Sequence, residues 1–282
     1  MRILLTGAGG QLGTDIVRAA ANRPDHDLTA LRRDQLDVTD RLGVNELFQA
    51  ADPDVVIHAA AHTAVDLCES DEDGATAIND TGTRHVAESA ARVGARVIYV
   101  STDYVFDGSK AEPYVETDEP NPASVYGRTK LAGEGHIGSD GLVVRTSWVC
   151  GANGSNMVKT ILRAAENHPT LTFVDDQIGK PTFTADLADV LLDLAGRSDT
   201  GIMHVTNERA VSWYGFCREV LASAGLDPDR VAPCTTEELQ PPRPAPRPAN
   251  SVLANTRFEA LGLPLLRDFR PALDETVQQL QG

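Results

Sequence analysis

The chain has 282 residues, 41% of them hydrophobic and 23% charged, with a formal net charge of -16 and a pI near 4.7. This length suits one large α/β domain, or one with a smaller lobe attached, and the composition is that of a folded globular protein rather than a disordered one. The acidity argues against nucleic acid or anionic membrane as a partner, since both need clustered basic charge, and favours solubility instead.

The apolar run after Met1 is too short for a signal peptide, and no later segment approaches the roughly 20 apolar residues of a membrane span. A cytoplasmic location is therefore expected. The four cysteines, Cys68, Cys150, Cys217 and Cys234, are scattered and contain no Cys-x-x-Cys pair. That points to reduced thiols rather than a disulfide framework or a zinc knuckle. Only Lys110, Lys130, Lys159 and Lys180 are lysine among the 25 basic residues, a bias that fits salt adaptation and GC-rich coding equally.

Residues 3–6, Ile-Leu-Leu-Thr, form a short apolar run expected as a central parallel strand, followed at once by Gly7-Ala-Gly-Gly10-Gln-Leu-Gly13 and a helix over 11–21. A strand, closely spaced glycines and then a helix is the arrangement in which backbone amides and a helix N-terminus receive a pyrophosphate, so Gly7 and Gly10 are candidate cofactor-binding residues. A second strand over 28–31 ends in Arg32-Arg33. An acidic residue there would accept from the ribose 2'-hydroxyl of NAD, whereas arginine pairs with the 2'-phosphate of NADP. NADPH is thus favoured over NADH, the alternative being that both arginines are ordinary surface charges.

A helix over 42–51 leads through Pro53 to a strand over 54–60, whose end carries Ala61-His-Thr-Ala-Val65-Asp66. Ligands bind outside the carboxyl ends of such strands. His58 and His62 are four apart but lack a His-Glu-x-x-His pattern, so packing or hydrogen bonding is expected and no metal site. The acidic stretch 66–73 is expected to be a solvated helix start. Residues 83–93 carry an apolar face at helical spacing, and a strand over 96–101 ends at Ser101-Thr102.

Tyr126 and Lys130 lie one helical turn apart on a segment for which Ser124 is a candidate N-cap. The spacing suits proton transfer. A tyrosine of ordinary pKa is a poor acid-base group at neutral pH, and a neighbouring ammonium would lower that value. A strand over 141–146 follows and ends in Ser147-Trp148, where the indole is either core or a stacking surface for a sugar or base. Beyond it the alternation loosens. Residues 173–182 are loop-rich, a helix covers 186–194, a strand covers 201–205, and Ser212 caps a helix that begins at Trp213. The five prolines of 240–248 exclude helix and central strand, giving an extended arm that stays within the domain and lies over the site.

These residues resemble the extended short-chain dehydrogenase/reductase superfamily, and within it the dTDP-4-dehydrorhamnose reductase family. The likeness rests on Gly10-Gln-Leu-Gly13, Ala59-Ala-Ala-His-Thr-Ala-Val-Asp66, Ser101-Thr-Asp-Tyr-Val-Phe-Asp-Gly108, Tyr126-Gly-Arg-Thr-Lys-Leu-Ala-Gly-Glu134, Arg145-Thr-Ser-Trp-Val149, Asp176-Gln-Ile-Gly-Lys-Pro-Thr182 and Arg247-Pro-Ala-Asn-Ser-Val-Leu253. It implies a Rossmann-type doubly wound parallel sheet over residues 1–147, with later segments returning to it, and a smaller C-terminal lobe over 148–282 that mainly binds substrate.

The resemblance further implies that Thr102, Tyr126 and Lys130 are catalytic in the NADPH-dependent reduction of the 4-keto group of a dTDP-6-deoxy sugar. Gln11, Leu12, Asp37, Val38, Ala61, His62 and Thr63 would join Gly7, Gly10, Arg32, Arg33, Tyr126 and Lys130 around the cofactor. Val65, Thr102, Asp103, Tyr104 and Trp148 would face the sugar; apart from the resemblance, the arginines of the proline-rich arm, Arg247 with Arg243, are expected to pair with the diphosphate. No metal is needed. Two departures stand out: Arg32 replaces a common Asp, and Cys150 replaces the usual Tyr after Trp-Val. Two other readings stay open, an NADP-binding regulatory subunit of methionine adenosyltransferase type and a reductase or epimerase of a related nucleotide sugar.

Overall fold

A computed structural model describes all 282 residues. Six parallel strands form its central sheet: β1 (Arg2–Thr6), β2 (Asp27–Leu31), β3 (Val55–His58), β4 (Arg96–Thr102), β5 (Leu142–Thr146) and β6 (Gly201–His204). Their order across the sheet is β6-β5-β4-β3-β1-β2. The chain therefore runs outward from β1 to β2 and then restarts on the other side of β1. That reversal leaves a crevice between the carboxyl ends of β1 and β3, where open α/β sheets bind ligands.

Burial on both faces explains the continuous apolar runs in these strands. Successive side chains alternate faces, so Ile3 and Leu5 join one core and Leu4 the other. On the first face, helices α1 (Gln11–Ala20) and α6 (Thr184–Ala195) lay Ile16, Leu187 and Leu191 against Ile3, Leu5 and Met203. On the second, α2 (Arg41–Ala51) and α3 (Thr83–Val93) bring Val44, Phe48 and Val86 against Leu4, Val56 and Tyr99. The sheet is doubly wound.

A third core lies in later residues, where α5 (Met157–Asn167), α7 (Trp213–Ser223) and α8 (Phe269–Gln281) bury Ile161, Phe216, Val220, Phe269 and Leu273 together. The loop-rich stretch expected over 173–182 contains more order than its composition suggests. Leu171–Val174 pairs with Val231–Cys234, Ile178–Gly179 with Val211–Ser212, and Thr182–Phe183 with Val149–Cys150. Strands this short are set by long-range partners and leave little periodicity in the sequence.

The segment after β3 also differs from expectation. In place of one solvated helix start there are two short helices, Val65–Ser70 and Glu72–Thr76, then a π-helical stretch, Ala77–Gly82, that runs into α3. The Asp71 carboxylate accepts from the Gly74 amide at 3.1 Å and restarts the helix there. The expected cap of α4 (Val125–Glu134) is in place, with Ser124 Oγ accepting from the Gly127 amide at 3.1 Å, and Ser212 caps α7 in the same way. The proline-rich arm folds back over Val65–Ser70, where the Ala245 amide donates to Asp66 Oδ1 at 3.2 Å. It then crosses Gly108 so closely that a Cβ there would meet Pro248 at 2.5 Å. No helix is long and apolar enough to cross a membrane.

Candidate active site

A cleft of about 600 Å³ opens above the carboxyl ends of β1, β3, β4 and β5, lined by both the glycine loop and the Tyr126-Lys130 helix face. Gly7 has φ +75°, and a Cβ there would meet the backbone nitrogen of Ala60 at 2.7 Å. At Gly13 a Cβ would strike Gly7 O at 2.2 Å. These two glycines let β1, the loop and α1 approach the β3 end closely enough to form the cleft floor. Gly10 caps α1 without a side chain, which leaves the first amides of a ten-residue helix free for an anion. Leu12 lines the cleft beside them. The Gln11 carboxamide instead donates to Val149 O at 3.0 Å and accepts from Asn156 at 2.6 Å, tying α1 to the later segment.

Arg32 and Arg33 are exposed at the end of β2, and neither pairs with a carboxylate. The aliphatic stem of Arg32 lies over the glycine loop, with its Cγ 3.5 Å from where a Gly9 Cβ would stand. Asp37 is held by Thr39, which donates from both its amide (2.9 Å) and its hydroxyl (2.8 Å), keeping the carboxyl below its usual pKa. Val38 is buried with its side chain beside Gly82, and its carbonyl contacts His85 Nδ1 at 3.1 Å. Of these four residues only Arg32 lies against the glycine loop, and none is on the cleft wall itself. Free amides, glycines that no other residue could replace and unpaired guanidiniums fit a dinucleotide with a diphosphate and a 2'-phosphate.

Ala61 and Thr63 line the cleft, whereas His62 turns away from it. The His62 ring lies 3.3 Å from Cys68 Sγ, and its backbone is clamped by Asn79, whose Oδ1 accepts from the His62 amide (2.8 Å) while Nδ2 donates to the His62 carbonyl (3.1 Å). Asn79 also donates to Thr129 Oγ1 at 3.1 Å and so ties the β3 loop to α4. Sequence reasoning missed it, because only the π-helical stretch turns Asn79 inward. His58 packs on Tyr99 and bonds to Thr6 and Thr83; burial pushes its pKa down to about 3, so it is a neutral structural ring.

Thr102 ends β4, and its hydroxyl donates to Asp103 Oδ1 at 2.9 Å while accepting from the Tyr104 amide at 3.2 Å. Asp103 is 2% exposed and its Oδ2 has no partner. Burial, only partly offset by its hydrogen bonds, pushes this carboxyl up to about 7. Tyr126 packs edge-on against Tyr104, with ring centroids 5.5 Å apart. Lys130 donates to Val100 O at 2.8 Å, and its ammonium sits 4.0 Å from the Tyr99 ring centroid.

The expectation that Lys130 lowers the Tyr126 pKa is not met. Burial dominates at both groups: it raises Tyr126 above the ordinary phenol range, against the lowering pull of Thr102, and it lowers Lys130 to about 7 despite the nearby Glu134 carboxylate. Tyr126 is accordingly a fully protonated donor at neutral pH. Behind the pair, Glu134 forms a buried fork with Arg145, at 2.9 and 2.6 Å, and accepts from Ser101 at 2.5 Å.

Val65, Asp103, Tyr104 and Trp148 are all on the cleft wall. Trp148 has φ +47°, strained for so bulky a residue, and its indole donates to Ser251 Oγ at 3.1 Å. Trp213 stacks on it with centroids 3.5 Å apart and planes within 4°. Sequence reading placed Trp213 on a helix start but gave it no role. Arg247 is not on the wall: its guanidinium pairs with Asp66 at 2.9 Å and lies 5.9 Å over the Tyr104 ring, while the more exposed Arg243 reaches Asp66 only at 3.8 Å.

A doubly wound sheet with a glycine loop at its switch point, and a Tyr-x-x-x-Lys helix facing a Thr at the next strand end, defines a dehydrogenase/reductase of the extended short-chain class. Comparison with known proteins narrows this. The family model described as the RmlD substrate binding domain matches residues 1–282, and the chain belongs to the dTDP-4-dehydrorhamnose reductase family. It is 44% identical over 281 residues to the dTDP-4-dehydrorhamnose reductase of Mycobacterium tuberculosis (strain CDC 1551 / Oshkosh), covering 96% of this chain and 91% of that one. Among solved structures it is similar to a dTDP-4-dehydrorhamnose reductase from Clostridium acetobutylicum, with a TM-score of 0.96, 42% identity and 100% of both chains covered. It is also similar to the Bacillus anthracis enzyme solved in complex with NADP, with a TM-score of 0.94, 34% identity and 99% of each chain covered.

Proposed function

We propose that this protein reduces the 4-keto group of dTDP-4-dehydro-6-deoxy-L-mannose, giving dTDP-L-rhamnose, with NADPH as reductant. The observation that carries this reading is the convergence of Thr102, Tyr126 and Lys130 on one cleft wall beside the glycine loop, in a chain of this reductase family. Bound NADPH supplies the hydride received by C4 of the sugar. The α1 amides, Gly7 and Gly10 would hold its diphosphate, Arg32 and Arg33 its 2'-phosphate, and Ala61, Thr63 and Lys130 its nicotinamide side.

Tyr126 holds a proton on its phenol oxygen and gives it to the oxygen that becomes the C4 hydroxyl; burial keeps that proton in place at neutral pH. The Thr102 hydroxyl, next to both Tyr126 and Asp103, positions the same oxygen. Val65, Asp103 and Tyr104 enclose the hexose, with the rim of Trp148 beside them. Arg247, already aimed over Tyr104, would exchange Asp66 for the substrate diphosphate, a stronger partner for a bidentate guanidinium.

Residues 1–147 thus form the cofactor-binding part, completed by α6 and β6, and residues 148–282 mainly the substrate lobe. A cytoplasmic location belongs to the same reading, supported by four free thiols. The test is incubation with NADPH and the dTDP-4-keto-6-deoxy sugar, with the product identified by mass spectrometry and NMR. A reduced sugar with the rhamno configuration is expected, and unchanged substrate would reject the assignment.

A further inference from the structure

Trp148 lines the cleft, yet both faces of its indole are covered. On one side Trp213 lies parallel at 3.5 Å. On the other is Gly179, where a Cβ would stand 2.4 Å from Trp148 Cε2 and 2.5 Å from Nε1, with Ser251 Oγ next nearest at 2.8 Å. No other indole atom comes so near, which puts that point over the flat of the ring, since a point beyond the ring edge would lie closer to the neighbouring ring carbons. It is on the side opposite Trp213, whose own atoms are absent from its surroundings. The indole nitrogen is also committed, to Ser251 at 3.1 Å. Trp148 is the middle layer of a sandwich, and its left-handed backbone, unfavourable for a bulky residue, shows how firmly it is held there.

Trp213 is the other indole on the cleft wall, and Trp148 occupies only one of its faces. It lines the same cleft and stands at the first turn of α7, on a helix anchored through Phe216 in the later core. Trp148 follows the end of β5, the strand beside β4 and its Thr102, so the pair borders the place where the reacting carbon must sit. We infer that Trp213 is a substrate-binding residue of this site, stacking on the apolar face of the 6-deoxy hexose, with Trp148 as its rigid backing. A deoxy sugar suits such a surface, because its C–H face and methyl group gain from an indole what a hydroxyl-rich edge would not. This inference rests on the function proposed above.

Trp148 and Trp213 are the only tryptophans in the chain, so their optical signals report on the pair alone. The wild-type protein should show an excitonic circular-dichroism band that vanishes in Trp213→Leu and survives addition of dTDP-L-rhamnose. Trp213→Leu should raise KM for the keto sugar about tenfold to a hundredfold with kcat nearly unchanged, the mark of a contact made equally in ground and transition states. Its affinity for dTDP alone should stay within about twofold of wild type, and Trp213→Phe should recover most of the loss.

An unchanged KM in Trp213→Leu, in a protein whose wild type turns over the sugar, would refute the role of Trp213 and leave the reductase assignment standing. No turnover by the wild type would refute the assignment itself and the hexose contact with it. If Trp213→Leu does not fold, the wild-type titration decides: tryptophan fluorescence that responds to dTDP-L-rhamnose but not to dTDP, with the excitonic band retained, supports the contact. Loss of the band on adding the sugar would show the two rings parting to admit it, and would overturn the inference.

Discussion

Asp103 gives a sharp test of the electrostatics of the cleft. It is 2% exposed, Oδ1 accepts from Thr102 at 2.9 Å, Oδ2 has no partner, and burial raises its pKa to about 7 from an ordinary 3.8. Folding therefore raises this pKa. The folded state keeps the proton across roughly pH 4 to 7 while the unfolded state releases it, so the stability lent by the protonated carboxyl is full below about 4 and is lost as pH rises through about 7. At 1.36 kcal/mol per unit, the loss totals about 4 kcal/mol. Asp103→Asn removes the titration. Near pH 4 the two proteins should be about equally stable, because the amide nitrogen takes the position that the wild-type Oδ2 already leaves unpartnered. The difference should then shift toward the variant by about 4 kcal/mol up to pH 7 and level off beyond it. Urea unfolding of both proteins from pH 4 to 8 measures this, and subtraction cancels every other carboxylate. Parallel stability curves would refute the reasoning, since they would mean that Asp103 titrates as it does in water.

Tyr126→Phe should lower turnover by about a hundredfold to ten-thousandfold while NADPH affinity, followed by fluorescence titration, changes little; near-normal turnover would mean that another group donates the proton. Wild-type protein should prefer NADPH to NADH, and Arg32→Asp should invert the order by repelling the 2'-phosphate and accepting from the hydroxyl, as equilibrium titration with both cofactors would reveal. Gly13→Ala should abolish cofactor binding or folding, because its Cβ would sit 2.2 Å from Gly7 O; the same titration plus a melting curve distinguishes the two. Calorimetry with dTDP should find Arg247→Ala substantially weakened and Arg243→Ala much less so, since the Arg243 side chain is 58% exposed and that of Arg247 only 17%.

Local signals were legible in the sequence, and long-range ones were not. The glycine spacing, the Tyr126-Lys130 pair, the Ser124 and Ser212 caps and all six strands of the central sheet each depend on residues near in sequence. Their chemistry survives in a linear reading. Trp148 and Trp213 are stacked although 65 positions separate them in the numbering, and Asp66 meets Arg247 across most of the chain. Neither pairing leaves a periodicity to detect. Asn79 was hidden for a different reason, since a π-helical stretch rotates side chains off the helical spacing on which amphipathic patterns are judged. The Tyr126 pKa went the other way from expectation because charge proximity can be guessed from spacing, whereas desolvation depends on everything packed around the ring.

The return of the chain to its sheet bears on how the molecule is made. Strand β6 pairs with β5 only after the excursion through α5 and α6, and Leu187, Leu191 and Met203 complete the core begun by Ile3 and Leu5. During synthesis from the N-terminus, β5 therefore stands with an open hydrogen-bonding edge, and one face of the sheet stays partly bare, until β6 has left the ribosome. A nascent chain ending near residue 147 has its nucleotide loop and its Tyr-Lys pair but only α1 to cover that face. It should be a substrate for chaperones and prone to edge pairing, so the part of the sequence that looks self-contained is not a unit that folds alone.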